Sequence, residues 1–90
     1  MTPDDFCIRL GIERTTLQLW LDEGWLVPQQ TDEDFGLSEM DLARARLVQH
    51  LGARAGVNAE GISIVLDLVD QIHGLRSMLR QVLRTHMGSL

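Results

Sequence analysis

The beginning of the chain carries two short apolar stripes, each followed by a single glycine, and this pattern predicts two short helices in succession. Thr2 is a good N-cap, Pro3 suits the first helical position, and Gly11 ends the first stripe. The second stripe extends over residues 14–23 and ends at Gly24. Two short helices joined by a glycine-containing turn form the helix-turn-helix pattern.

After the second helix the sequence becomes extended and polar. An apolar stretch over residues 25–28 closes with a proline, a polar run follows over residues 29–34, and a second short arm covers residues 35–37. Two short extended arms with a polar tip are typical of a hairpin. The sequence therefore predicts a small two-armed wing behind the helix-turn-helix.

Two further helices complete the chain. Ser38 followed three residues later by Asp41 is a capping-box pattern, which opens a third helix that reaches about residue 54 and ends at Gly56. Asn58 caps a fourth helix, and no strong breaker interrupts it before Gly88. We predict a mainly α fold, a winged helix-turn-helix with a long C-terminal helix.

The long helix carries an apolar stripe whose members alternate at spacings of four and three residues, which is the pattern of a coiled-coil seam. We therefore predict a homodimer and a single domain in two parts. Residues 1–57 hold the helix-turn-helix, the wing and the third helix, and residues 58–88 form the dimerisation helix. The alternative is that the stripe packs inside its own chain as core. The stripe consists of Leu68, Ile72, Leu75, Leu79 and Val82.

Charge divides the chain more sharply than composition does. The chain is 44% hydrophobic and 23% charged, which is typical of a small globular domain. Its length of 90 residues leaves no room for a separate cofactor-binding half. Residues 1–42 hold ten acids and two arginines, a balance of −8, whereas the remainder holds three acids and six arginines, a balance of +3. An acidic front half repels phosphate and attracts basic partners.

The chemistry-bearing side chains form no catalytic or metal-ligating pattern. Cys7 lies among apolar residues, which favours a buried structural thiol over a nucleophile. The three histidines stand on separate helical turns without a cysteine cluster, so we expect no metal, no cofactor and no enzyme. A single cysteine, with neither a signal peptide nor an apolar run of membrane-spanning length, predicts a cytoplasmic protein.

The order of residues in the helix-turn-helix resembles that of a known family. The glycine turn at Gly11, the Thr-Leu pair at 16–17, the Gly-Trp-Leu-Val-Pro run at 24–28 and the wing are similar to the start of MerR-type regulators. Those regulators usually carry Arg-Tyr-Tyr after the Thr-Leu pair, where this chain has Gln-Leu-Trp at 18–20. Because the positions that would face phosphate are neutral or acidic, the scaffold is kept and the DNA-binding chemistry is lost.

A closer resemblance covers nearly the whole chain. The start Phe-Cys-Ile-Arg-Leu-Gly-Ile at 6–12, the stretch at 61–75 and the Arg/Gln/Leu-rich helix end are similar to the chaperone-modulator family CbpM. The chain departs from that pattern at Asn58, near which a bulkier aromatic residue is expected. The resemblance implies a protein that binds the J-domain of a DnaJ-like co-chaperone of the CbpA type. It also implies inhibition of co-chaperone and DNA-binding activities by competition with DnaK.

J-domains present a basic helix face to DnaK, so the resemblance implies that acidic residues of the front half meet that face. We chose candidate contacts by charge density and added one tryptophan, because tryptophan is enriched at binding hot spots. Such a partner implies that this chain is cytoplasmic and is associated with the nucleoid through the co-chaperone. The alternative function is a MerR-like DNA-binding transcription regulator. The candidate J-domain contacts are Asp22, Glu23, Trp25, Asp32, Glu33 and Asp34.

Overall fold

A computed structural model describes residues 1–31 and 34–88, with side chains described for residues 1–28 and 36–88. The chain divides into two compact units, Met1–Asn58 and Ala59–Leu90. The described residues are mainly helical with one hairpin, which confirms the predicted fold class. The elements are α1 (Pro3–Leu10), α2 (Arg14–Asp22), β1 (Gln29–Thr31), β2 (Asp34–Gly36), α3 (Glu39–Gln49) and α4 (Ala59–Gly88).

Local capping fixes both ends of α1. The hydroxyl of Thr2 accepts a hydrogen bond from the Asp5 N–H at 3.2 Å, which satisfies one of the N–H groups that a helix start leaves free. Gly11 adopts a left-handed conformation with φ +67°, and the following Ile12 N–H donates back to the Cys7 carbonyl at 3.0 Å. This is the Schellman geometry, in which glycine avoids the strain that a Cβ would suffer.

The second helix ends in the same way, one residue earlier than predicted. Asp22 is its last residue and Glu23 its C-cap, while Gly24 takes φ +77°. The Trp25 N–H then donates to the Trp20 carbonyl at 3.1 Å, which completes a second Schellman motif. The glycine stops predicted for both helices are confirmed.

The predicted wing is present, although its first arm lies further along the chain. β1 and β2 pair antiparallel, with Gln30 opposite Phe35. The residues predicted as the first arm include Trp25 and Leu26, which are buried at 6% and 3% exposure and therefore serve the core. Because Pro28 has no N–H to donate to a ladder, strand pairing begins only after it.

The predicted capping box opens α3. The Ser38 hydroxyl accepts from the Asp41 N–H at 3.2 Å, and the Asp41 carboxylate accepts from the Ser38 N–H at 2.9 Å. The helical path reaches residue 54 as predicted, but its last turn, His50–Arg54, is π-helical. There the Ala55 N–H donates to the His50 carbonyl, five residues back, at 3.0 Å.

Side chains of α3 tie the first unit together. Gln49 donates its Nε2–H to the Leu10 carbonyl at 2.8 Å, and Arg44 donates its Nε–H to the Trp25 carbonyl. Both acceptors lie where a helix of the helix-turn-helix ends, so α3 holds the two helices through their C-terminal ends. The apolar core of this unit consists of Phe6, Cys7, Leu17, Trp20, Trp25, Leu26, Leu37, Leu42, Ala45 and Val48.

Burial along α4 is confined to its beginning. Ile62 and Leu66 are buried at 4% and 1% exposure, and Val65 and Val69 are half-buried. Every residue from Asp70 to Gly88 is exposed. At about 1.5 Å per residue this leaves roughly 28 Å of helix whose side chains all face solvent.

Removal of the α3 cap should destabilise the protein. We expect Ser38→Ala to lower the free energy of unfolding by about 1 kcal/mol, because the substitution leaves the Asp41 N–H without its acceptor. Urea denaturation followed by circular dichroism measures this. Ser77→Ala makes the same chemical change at an exposed position of α4 and should stay within about 0.5 kcal/mol of the wild type. Equal losses in both variants would contradict the capping role.

Candidate functional site

The outward face of α2 is the first candidate site, because the second helix of a helix-turn-helix is the one that enters the DNA major groove. Leu17 and Trp20 are buried at 2% and 7% exposure and fix the inner side of the helix. The 3.6-residue period then leaves Thr15, Gln18 and Asp22 exposed on the opposite side. These side chains stand where a DNA reader keeps its base contacts.

Acidic groups engage the polar side chains of this face. Arg14, the one cation in the sequence of α2, forms an ion pair with Asp4 of α1 at an Nη1–Oδ1 distance of 2.7 Å. Gln18 donates its amide to the Asp22 carboxylate at 2.9 Å. A phosphate approaching Arg14 would have to displace Asp4, and a base approaching Gln18 would meet a carboxylate. The face therefore disfavours a polyanion and favours a cationic ligand.

The predicted acidic contacts are brought together only in part. Asp22 and Glu23 are exposed neighbours at the C-terminal end of α2, where the helix dipole disfavours acids. Asp34 opens β2, but its side chain lies outside the described part, and Asp32 and Glu33 lie outside the described residues altogether.

Trp25 belongs to the core in this structure. Its side chain is 6% exposed, and its backbone is held on both sides, by the Schellman bond to Trp20 and by Arg44. A partner would reach little of its surface, so we do not retain Trp25 among the proposed contacts. Local sequence patterns do not decide this, because residue type alone does not fix which way a loop side chain turns.

Sequence reasoning did not select several apolar side chains that are exposed on the first unit. Leu19 is 54% exposed and lies on the outer side of α2, outside the buried stripe of Leu17 and Trp20. The helical register of α2 was the signal that would have identified it. Among residues 1–28 and 36–58, the other large apolar side chains that are exposed are Ile8, Val27 and Met40.

Comparison with known families agrees with this architecture. A family model described as MerR HTH family regulatory protein matches residues 1–84. The chain belongs to the MerR helix-turn-helix family. No curated protein and no solved structure matches it. The matched range includes the helix-turn-helix, the wing, α3 and most of α4.

The apolar stripe of this MerR-family chain is exposed rather than buried. Exposed fractions of its five members range from 48% to 66%. A core position would lose nearly all of its accessible surface, and these positions keep about half or more of theirs. The five residues are Leu68, Ile72, Leu75, Leu79 and Val82.

The described residues hold neither a metal-ligating group of side chains nor a membrane-spanning helix. Within residues 1–31 and 34–88, no three His, Cys, Asp or Glu side chains are grouped to hold a metal ion. None of the helices in this described part has the length and hydropathy of a bilayer span. Cys7 is buried at 6% exposure, and this burial raises the pKa of its thiol above the ordinary value. Nearby Arg14 lowers that pKa and Asp4 raises it further, as smaller effects.

Because burial and a raised pKa both suppress the thiolate, Cys7 should be unreactive in the folded protein. We expect an Ellman assay near neutral pH to detect no thiol until guanidinium is added. Thr15→Cys provides a matched control, since it places a second thiol at an exposed position of α2. That variant should show one thiol at once and the other only on unfolding. Immediate reaction of Cys7 in the native wild type would contradict the assignment.

Proposed function

We propose that this MerR-family chain is a chaperone modulator of the CbpM type. It binds the J-domain of a DnaJ-like co-chaperone, competes with DnaK for that domain, and so inhibits the co-chaperone and DNA-binding activities. It acts as a binding protein and not as an enzyme, in the cytoplasm, and reaches the nucleoid through its partner. The resemblance to CbpM over nearly the whole chain supports the proposal, and so does the chemistry of α2.

The engagement of Arg14 by Asp4 carries the proposal. Proteins that bind duplex DNA derive much of their affinity from cations at phosphates, and the α2 face has no unengaged cation to contribute. The same face and its end carry Asp22 and Glu23, which repel phosphate. A helix-turn-helix with this surface is suited to a cationic protein face.

Charge attraction also supports the proposed mode of inhibition. Residues 1–42 carry a balance of −8, so a basic helix of a J-domain is attracted over distances approaching the Debye length, about 8 Å at physiological salt. A protein that covers that basic helix excludes DnaK by occupying the same surface. Exposed ion pairs contribute only about 0–1 kcal/mol each, so the summed field matters more than any single contact.

Reversal of the two exposed acids at the end of α2 should slow association. We expect Asp22→Lys with Glu23→Lys to lower the association rate constant for a J-domain about tenfold at low salt, and to weaken its salt dependence. Surface plasmon resonance at two salt concentrations measures both quantities.

A matched control separates a local effect from a change in net charge. Glu60→Lys with Asp67→Lys alters two exposed acids of α4 and shifts the formal charge by the same amount. This variant should keep most of the wild-type rate. Equal losses in the two variants would assign the effect to net charge, and an unchanged rate in the first would remove Asp22 and Glu23 from the contact set.

We also propose that two copies of the chain pair along the exposed stripe of α4. A contiguous apolar surface on a soluble helix is stabilised when a second helix covers it, and the alternating spacing of the stripe suits a like helix. Only two heptads are present, so the dimer should depend on each of them.

Charge inside the stripe should dissociate the proposed dimer. Ile72→Glu with Leu79→Glu would bury two carboxylates in an apolar seam, at a free-energy cost of several kcal/mol. We expect light scattering to give about twice the chain mass for the wild type and the monomer mass for this variant. Ser77→Glu with Gln81→Glu adds the same charge on the opposite side of α4 and should leave the dimer intact. A monomeric wild type at high micromolar concentration would refute the dimer.

The second candidate function is a MerR-like DNA-binding transcription regulator. The description of the matching family model, a regulatory protein with a helix-turn-helix, favours it directly. In that case α2 would enter the major groove, and the dimer would present two such helices to two half-sites. Both partners of the Arg14–Asp4 ion pair are exposed, at 61% and 79%. A phosphate contact by Arg14 would have to break this pair.

A further inference from the structure

A groove of about 320 Å³ lies in the first unit where the beginning of α1 meets one side of α2. Four of its lining residues recur on α2 at the spacing i, i+3, i+4 and i+7, so they form a single stripe of the helix. The volume is about ten times the roughly 30 Å³ that one water molecule occupies, which is enough for a large apolar side chain. The lining residues are Pro3, Arg14, Leu17, Gln18 and Leu21.

The groove has an apolar lining and an acidic edge. Half-buried Pro3 and Leu21 supply apolar surface above the buried Leu17, while Arg14 and Gln18 are bonded to acids. Arg14 is paired with Asp4 at 2.7 Å, and Gln18 is bonded to Asp22 at 2.9 Å. Both acids are exposed, and each is bonded to a residue that lines the groove.

We propose that this groove is the docking site for a basic amphipathic helix, which inserts one large apolar side chain between flanking lysines or arginines. The apolar side chain fills the groove, and the flanking cations meet Asp4 and Asp22. The inference deepens the proposed function and rests on it for the identity of the partner, because it assigns to a J-domain helix a place on the α1–α2 surface. It requires an apolar contact in addition to the ion pairs. That contact lies at lining residues that are not among the candidate contacts chosen by charge density.

Filling the groove should weaken binding without any change in charge. Gln18→Trp places an indole at the lining, and Gln18 is exposed, so the fold should tolerate it. We expect its dissociation constant for a J-domain to rise at least about tenfold, since an excluded apolar side chain forfeits its burial. Met40→Trp is the matched control, because Met40 is exposed on α3 and does not line the groove. Its affinity should stay within about twofold of the wild type.

A second probe separates this proposal from the proposed function. The probe is a synthetic helical peptide of leucine and lysine with one apolar and one basic face, titrated into the ¹⁵N-labelled chain. We expect the amide signals of Leu17, Gln18 and Leu21 to shift, and Gln18→Trp to abolish those shifts. Shifts with the peptide but no binding of the J-domain would keep the groove and refute the J-domain partner.

Other results would overturn the groove proposal itself. J-domain affinity that is equal in Gln18→Trp and wild type, with no signal shifts at the groove, would place the partner elsewhere. α4 is itself a helix with an apolar stripe and exposed Arg76, Arg80 and Arg84, so a second copy is the competing occupant. Loss of the dimer in Gln18→Trp, with J-domain affinity unchanged, would assign the groove to α4 of that copy and overturn the proposal.

Discussion

The first unit depends on the hydrogen bonds by which α3 holds the ends of the two preceding helices. A carbonyl left unpaired in a part-buried place costs about 1–3 kcal/mol, whether it belongs to the last turn of a helix or to the turn that follows it. Gln49 and Arg44 supply donors to the Leu10 and Trp25 carbonyls from neighbouring turns of one helix. The glycine turns at Gly11 and Gly24 set the direction of the chain at the same places. Together they fix how α2 presents its outer face.

On this scaffold the side chains of α2 decide the class of partner. A helix-turn-helix presents an exposed helix to a ligand, and its fold does not say whether that ligand is DNA or protein. Here the cation of α2 is paired with Asp4, and Gln18 is bonded to Asp22. We propose that these acids suit the surface to a basic helix, since they repel phosphate and attract cations.

Local features were predictable from the sequence, and features that join distant elements were not. The caps at Thr2 and Ser38 and the glycine stops depend on neighbours within about five residues, so pattern rules found them. The Arg14–Asp4 ion pair joins two helices, and the bond from Arg44 to the buried Trp25 joins α3 to the turn after α2, so neither has a local signature. The groove was not predictable for the same reason, because Pro3 meets α2 only in the folded unit.

We propose that this helix-turn-helix binds a basic protein domain in preference to DNA. Fluorescence anisotropy of the labelled chain tests this, with titrations in one low-salt buffer of a J-domain of the CbpA type and, separately, of duplex DNA. We expect the J-domain to bind at least about tenfold more tightly than the duplex. Tighter binding of the duplex, with an affinity that falls by about 0.9 logarithmic units per neutralised phosphate for each tenfold rise in salt, would contradict it.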